Sequence, residues 1–332
     1  MTAFLAMIGD TWRLSRKQVV FIILLVLLTL LAGFMIAVVK VNTTDDGELV
    51  LGDIFSDRPE NRLAASQWYQ GYRLVNRLGQ ERPPEGVKFD SPEWDEYQER
   101  VKARRKETTD NLAPPSRLER SVVGWHYFTQ SIMVVIAMWL FIAAAAGYFP
   151  GLMEAGAIDV VLSKPMGRLK IFAGRFVGGL VFLGGAVLLF QLIMYVGLGL
   201  RTGIWYGGAF ASITPIMFTA ALLYSVVAFL GILSRSAVFA LTVGYFLYIA
   251  VDSGLKIFSQ VQLMGELEDY PFFDNLAIWL REWIPNFSTL QELSTASVLA
   301  IPDFDWRPFY IGGLWLAASL SAGFFIFKRR DF

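Results

Sequence analysis

The sequence predicts an all-α integral membrane protein with six transmembrane helices. Of its 332 residues, 55% are hydrophobic and only 17% are charged, and the mean hydropathy of +0.48 is far above that of a soluble domain. A helix needs about 20 apolar residues to cross the hydrocarbon core of a bilayer. Six apolar runs are long enough, and they cover residues 18–39, 126–149, 176–198, 209–233, 236–255 and 308–327.

The N-terminal part is expected to hold an interfacial helix followed by a retained signal anchor. Residues 18–39 carry no charge and exceed the apolar core of a signal peptide, and no convincing cleavage site follows them. Residues 1–17 have a stripe of apolar side chains at helical spacing, which favours an amphipathic elbow helix in the cytoplasmic interface. A simple helical extension of the first span is the alternative. The stripe consists of Phe4, Leu5, Ile8 and Trp12.

The distribution of charge predicts that both termini are cytoplasmic. Basic residues outnumber acidic ones in residues 1–17, in the loop 150–175 and in the C-terminal tail, and Arg235 adds a charge to a short turn. By contrast, residues 257–307 hold eight acidic residues and two arginines. Cytoplasmic loops are enriched in Lys and Arg, so the basic segments are placed inside the cell. The protein is therefore expected in the inner (plasma) membrane as a multi-pass protein.

Tryptophan positions support the same orientation. Trp125, Trp205 and Trp306 each stand just before an even-numbered span. With a cytoplasmic N-terminus, these positions fall at the outer interface, where an aromatic belt is expected.

Two hydrophilic segments are predicted outside the cell. N-cap signals at Asp57, Ser91 and Ser116 predict a helical loop whose last helix continues into the second span. The later segment contains helical patterns that are too short to cross the membrane. The predicted division is 1–17 (cytoplasmic interfacial helix), 18–40 (first transmembrane helix), 41–125 (extracytoplasmic helical loop), 126–256 (transmembrane helices two to five with the loop 150–175), 257–307 (short or re-entrant extracytoplasmic helices) and 308–332 (sixth transmembrane helix and basic tail).

The stretch 154–175 is the main candidate functional segment of the sequence. It is charged, contains glycine and proline, and lies between two apolar runs. Lys164 precedes Pro165, and a residue before proline avoids helical backbone angles. A short helix over about 152–162 is therefore expected to stop there, and a second helix to begin at Pro165. Charge alone favours an ordinary basic cytoplasmic loop.

The order of residues in this stretch resembles the loop between spanning helices two and three of ABC transporter permeases of the type-2 exporter family. That loop is commonly written E-x-G-x-x-x-x-L-L-x-x-P-x-x-R. The basic C-terminus from Phe327 to Phe332, the N-terminal elbow and the number of spans resemble the same family. The residues that carry the loop resemblance are Glu154, Gly156, Asp159, Leu162, Lys164, Pro165 and Arg168, with a further basic residue at Arg175.

This resemblance implies a permease subunit that couples to a separate ABC ATPase through those seven loop residues. Two six-span subunits, as a homodimer or a heterodimer, would assemble with two ATPase copies in the membrane lipid. The chain contains no G-x-x-x-x-G-K-[ST] motif, so ATP and Mg²⁺ are expected on the partner, with no cofactor or metal on this chain. No nucleic acid partner is expected, and the transported substrate is left open.

The sequence offers little for other chemistry. It has no cysteine and a single histidine, His126, interpreted as an interfacial hydrogen-bonding residue, so no catalytic site is expected. Ion-coupled carriers bury ionisable residues in mid-membrane. Here Asp252, near Lys256, is the only acid inside a candidate span and is interpreted as interfacial. A polytopic carrier or membrane scaffold without an ATPase is the alternative hypothesis.

Overall fold

The computed structural model describes residues 19–56, 58–78, 91–112, 116–153, 167–263, 270–299 and 306–330. The predicted elbow helix therefore lies outside the described residues. The described part is predominantly helical. It contains six helical segments that are long and apolar enough to cross a membrane, which confirms the predicted number. We call them spans one to six: Val19–Val38, Arg117–Leu152, Arg168–Thr202, Gly207–Ser234, Ala237–Phe258 and Arg307–Arg329.

The helices and strands are numbered here along the described residues. They are α1 (Val19–Val38), β1 (Val39–Thr43), β2 (Leu49–Asp53), α2 (Arg62–Leu78), α3 (Pro92–Leu112), α4 (Arg117–Ala145), α5 (Tyr148–Leu152), α6 (Arg168–Thr202), α7 (Ile213–Ser234), α8 (Ala237–Tyr245), α9 (Asp252–Leu263), α10 (Pro271–Trp283), α11 (Phe287–Ala296) and α12 (Arg307–Arg329). A 3₁₀ turn, Gly207–Ser212, precedes α7, and another, Ser297–Leu299, follows α11.

The spans alternate in direction, so the bundle has two ends. The tail end carries Met153, Arg168, Leu233 and Arg330, which the contacts described below bring together. The cap end carries the segments between spans one and two and between spans five and six.

A two-stranded antiparallel hairpin, which was not predicted from the sequence, follows span one directly. Val39 at the start of β1 pairs with Asp53 at the end of β2. In the turn, Gly47 has φ 80°, a left-handed conformation that glycine adopts at little cost. The Asp46-Gly47 pair is a recognised hairpin signal and could have predicted this element. The segment between spans one and two is therefore not purely helical.

Two helices, α2 and α3, complete the described part of the segment between spans one and two. The N-cap of α2 is Asn61, whose side chain accepts hydrogen bonds from two backbone N–H groups at 2.9 and 3.1 Å. The predicted cap at Asp57 lies outside the described residues. Ser91 caps α3 as predicted, accepting from a backbone N–H at 3.2 Å. Helix α2 packs closely on α4, since a Cβ on Gly124 would collide with the Ala64 carbonyl oxygen.

Span two starts earlier than its apolar run. Helix α4 begins at Arg117, and the Ser116 hydroxyl accepts a hydrogen bond from the Glu119 backbone N–H at 3.1 Å. A serine N-cap satisfies one of the backbone donors that a helix leaves open at its start. The prediction that one helix continues from Ser116 into the second span is confirmed.

The last carbonyl groups of span one are satisfied by side chains from two other spans. The Trp125 indole N–H donates to the Met35 carbonyl oxygen at 3.0 Å. The Arg201 guanidinium donates to the Ile36 carbonyl oxygen at 2.9 Å. Because the final carbonyls of a helix lack partners within it, these two contacts fix the cap end of span one against spans two and three.

Trp125 is not a belt residue. Its side chain is only 3% exposed and packs inside the bundle, because its indole is used in the contact with span one. Trp205 and Trp306 are 51% and 60% exposed, as a position at an aromatic belt requires.

Span five is not a uniform helix. Helix α8 passes into a π-helical turn, Phe246–Val251, and α9 follows it. Such turns insert an extra residue into a helix and occur frequently at functional sites. Asp252 comes directly after the turn and is buried against α11 rather than exposed, with both carboxylate oxygens accepting from the Ser288 backbone N–H at 3.1 and 2.9 Å.

Candidate functional site

The candidate site is the tail end of the bundle, where the predicted ATPase-coupling loop leaves span two and enters span three. The structure describes the two chain ends that flank the loop, Met153 and Gly167, and the first residue of span three, Arg168. The other six predicted coupling residues lie outside the described residues: Glu154, Gly156, Asp159, Leu162, Lys164 and Pro165.

Span three begins at Arg168 and not at Pro165. Gly167 is the N-cap of α6, with φ −67° and ψ 149°, an extended conformation that interrupts a helix. The prediction of a helix running from Pro165 into span three is therefore wrong. Because glycine at an N-cap offers no side-chain oxygen, no side-chain hydrogen bond caps this helix start.

Arg168 joins the start of span three to the end of span six. Its Nη1 atom donates to the carbonyl oxygens of Lys328 and Arg330, at 2.6 and 2.8 Å. Carbonyl groups at a helix C-terminus lack internal partners and carry partial negative charge, so a guanidinium is stabilising there. The sequence interpretation directed Arg168 toward a partner surface, whereas its guanidinium is engaged by its own chain.

Arg330 makes a second connection at the tail end. Its Nη2 atom donates to the Leu233 carbonyl oxygen at 2.7 Å, near the end of span four, and its Nη1 atom lies 3.9 Å from the Met153 sulfur. Partial burial, and secondarily the nearby charge of Arg235, lower the pKa of the Arg330 guanidinium from its ordinary value. Arginine nevertheless stays protonated in proteins. We call Arg168, Arg330 and their carbonyl partners the arginine junction.

An aromatic cluster centred on Tyr224 connects spans two, three and four toward the tail end. The Tyr224 ring stacks on Phe176 with centroids 4.8 Å apart and an interplanar angle of 12°. It also meets Phe141 at 5.5 Å and Tyr148 at 6.0 Å, both edge-on. Such aromatic pairs add stability beyond the area they bury. The cluster and the arginine junction therefore link spans two, three, four and six.

Gly179 of span three makes this cluster possible. A Cβ at this position would lie 2.9 Å from a carbon of the Tyr224 ring and 3.0 Å from a carbon of the Tyr148 ring. Small residues at helix contacts allow close approach of membrane helices. The glycine is thus required by the packing of the two tyrosines.

Catalytic chemistry finds little support in the described residues. Within the described ranges, no group of three or more His, Asp or Glu side chains could hold a metal ion. His126 is 2% exposed, and its Nε2 atom has no hydrogen-bond partner there, so the expected interfacial hydrogen-bonding role is wrong for that atom. Its ring lies 5.8 Å from that of Tyr206.

The role of Arg330 was missed from the sequence. The sequence assigns the basic cluster at residues 328–330 a role in orientation and a place in the family resemblance, but no contact within the chain. Its contact with Leu233 joins two spans that are far apart in the chain, and no local pattern encodes that contact.

Comparison with known proteins agrees with this architecture. A protein family described as ABC-2 family transporter protein matches residues 5–332, which is nearly the whole chain. No curated protein matches the sequence significantly. The family match covers all six spans, the loop between spans two and three, and the basic tail. The chain therefore belongs to the ABC-2 transporter family.

Proposed function

We propose that this chain is the membrane-spanning permease subunit of an ABC exporter, driven by ATP hydrolysis on separate ATPase subunits. Membership of the ABC-2 family implies a permease subunit that works with an ABC ATPase. ATP and Mg²⁺ would bind to that partner. In the proposed arrangement both termini and the tail end are cytoplasmic, in the plasma membrane, and a second permease copy or a homologue completes the assembly.

The observation that carries this proposal is the arginine junction beside the coupling loop. Arg168, the first helical residue after the loop, holds the carbonyl groups at the end of span six, and Arg330 in turn reaches the end of span four. A force applied to the loop is therefore delivered to several spans together. An ordinary orienting loop would need no such connection, because positive charge alone fulfils that role.

The mechanism follows from this connectivity. Docking of the loop in a groove of the ATPase would use Glu154, Gly156, Asp159, Leu162, Lys164 and Pro165, with Arg168 positioning the loop on the bundle. ATP-driven closure of the ATPase pair would displace the two loops of the dimer. Because packed helices respond as rigid bodies, the spans would tilt together and open a central pathway toward the cap end.

Charge reversal at Asp159 tests the docking step. A reversed charge at a desolvated interface meets like charge and costs several kcal/mol, equivalent to about a hundredfold or greater loss of affinity. We expect Asp159→Lys to insert and accumulate normally but to lose the ATPase that co-purifies with the tagged wild-type chain, together with permease-stimulated ATP turnover. Glu154→Lys should behave in the same way.

The matched control is Asp46→Lys, which reverses an exposed acidic residue in the hairpin turn at the opposite end. It should retain the ATPase. Arg168→Glu is a poorer probe of docking, since it would place a carboxylate against two carbonyl oxygens inside the chain. If Asp159→Lys and Glu154→Lys retain a stimulated ATPase, the coupling role is refuted. If no ATPase accompanies the wild-type chain, the carrier or scaffold alternative is favoured.

A further inference from the structure

A cavity of about 200 Å³ lies at the cap end, between span two, the end of span five and α11. It is separate from the arginine junction and plays no part in the proposed docking. Its wall combines hydroxyl, amide and charged groups with apolar side chains. Those used below are Tyr127, Val135, Lys256, Ser288, Gln291 and Glu292.

An ion pair forms part of the cavity wall. Lys256 Nζ lies 2.6 Å from Glu292 Oε1, and the two side chains are 41% and 24% exposed. The pair leaves charged atoms partly exposed on the wall, so the cavity suits a polar occupant better than an acyl chain alone. An occupant that carries one positive and one negative charge could place each of them beside the oppositely charged side chain of this pair.

Span five is joined to α11 along this wall, from its π-helical turn onward. Three residues of the span, four positions apart, each make a polar contact with α11. The Tyr248 hydroxyl accepts from the Gln291 amide, Asp252 accepts from the Ser288 backbone N–H, and Lys256 pairs with Glu292. A carboxylate at a helix N-terminus is also favoured by the helix dipole, so the wall is held in place before any ligand arrives.

The cavity runs along about two turns of span two. Tyr127 and Val135 of α4 both line it, and eight residues of helix span about 12 Å. Val135 is 46% exposed on the side of the bundle, so the cavity wall continues onto an exposed apolar surface of a helix long enough to span a membrane. A soluble ligand would not need an apolar surface beside the cavity. A lipid could pack the first carbons of its acyl chains against it.

We propose that this cavity binds the headgroup of a zwitterionic phospholipid, such as phosphatidylethanolamine, from the leaflet at the cap end. The phosphate would lie against Lys256 and the ammonium group against Glu292, and the acyl chains would leave past Val135. This assignment is independent of the proposed coupling to an ATPase.

Native mass spectrometry of the full-length chain in detergent tests the assignment. Phosphatidylethanolamine, phosphatidylglycerol and free phosphoethanolamine are titrated separately. We expect phosphatidylethanolamine to bind at least about tenfold more tightly than the other two, since each of them lacks either the ammonium group or the chains. Lys256→Gln combined with Glu292→Gln should weaken its binding by about ten- to a hundredfold.

Two further variants separate binding from folding. The control Glu48→Gln with Arg117→Gln removes another cap-end ion pair, of 2.8 Å and greater exposure, and should leave lipid binding unchanged. Val135→Trp narrows the lateral face while keeping every charge, and should weaken phosphatidylethanolamine binding even if the double glutamine variant does not fold. Equal binding of the two lipids, full binding by Val135→Trp, or free phosphoethanolamine binding as tightly as the lipid would each overturn the assignment.

Discussion

Arg168 Nη1 lies 2.6 Å from the carbonyl oxygen of Lys328, a residue 160 positions later in the chain. The contact closes the bundle at the tail end by joining its third and sixth spans. A residue that the sequence associates with a partner protein is therefore also part of the protein's internal framework. Removing the charge of Arg168 should therefore first destabilise the packing of this chain, before any effect on a partner.

We expect Arg168→Gln to loosen the last turn of span six by about 1 kcal/mol, because carbonyl groups at the helix C-terminus lose a cation. Hydrogen exchange at the backbone amides near residues 326–330 should become about fivefold faster. Lys170→Gln is the matched control, as it removes an exposed charge from the same turn. Equal exchange in the two variants would show that Arg168 does not stabilise this helix end.

Gly179→Ala should destabilise the bundle. The added Cβ would lie 2.9 Å from the buried Tyr224 ring, and overpacking of this kind typically costs about 1–3 kcal/mol. Thermal unfolding in detergent should show a lower midpoint. Gly185→Ala lies on the same helix with no atom within 4 Å of its new Cβ and should be neutral or slightly stabilising. Equal midpoints for the two variants would contradict the close packing of Gly179.

The raised pKa of the Tyr206 hydroxyl predicts that the protein loses stability at alkaline pH. Burial, and secondarily the charge of Glu119, raise the pKa of its hydroxyl to about 12, and that hydroxyl donates to the Val298 carbonyl oxygen. The folded state therefore keeps a proton that the unfolded state releases near pH 10. Its contribution is complete below about pH 10 and is lost as the pH rises toward 12, by at most about 1.4 kcal/mol per pH unit.

The measurement compares wild type with Tyr206→Phe. Unfolding midpoints recorded from pH 8 to pH 11 should fall more steeply for the wild-type protein above pH 10, since the other tyrosines titrate in both chains. Parallel curves would argue against a buried, hydrogen-bonded hydroxyl at this position.

The orientation can be measured directly because the chain has no cysteine. We expect an impermeant thiol reagent on intact cells to label Lys88→Cys but neither Lys164→Cys nor Ser234→Cys. All three should be labelled after the membrane is permeabilised. Labelling of Lys164→Cys from outside would overturn the assignment of the tail end to the cytoplasm.

The six spans could be predicted because bilayer thickness imposes a minimum length on an apolar helix, and each run in the sequence meets it. The cap at Ser116 could be predicted for a similar reason, since an N-cap is a local interaction within four residues. The hairpin was missed although Asp46-Gly47 marks its turn, because its strands are only five residues each and lie between stronger helical patterns.

Less of the candidate site than of the fold could be predicted from the sequence. The loop motif placed it between spans two and three, and the docking role of its residues from Glu154 to Pro165 remains a prediction. The two contacts that give the site its mechanical character, from Arg168 to Lys328 and from Arg330 to Leu233, join helices that are distant in the chain. Such pairings depend on how the spans pack, which no local pattern specifies.

The junction between span one and the hairpin has a mechanical consequence. Strand β1 begins at the residue after Val38, and the Val38 carbonyl oxygen accepts a hydrogen bond from the Ile54 backbone N–H at 2.9 Å. Because no flexible connection separates them, span one and the β1–β2 hairpin are expected to move as one rigid unit. A strand of five residues is about 17 Å long, so a tilt of span one by about 10° would carry the hairpin tip about 3 Å sideways. A spectroscopic label near Gly47 would thus register movements of a helix buried in the membrane.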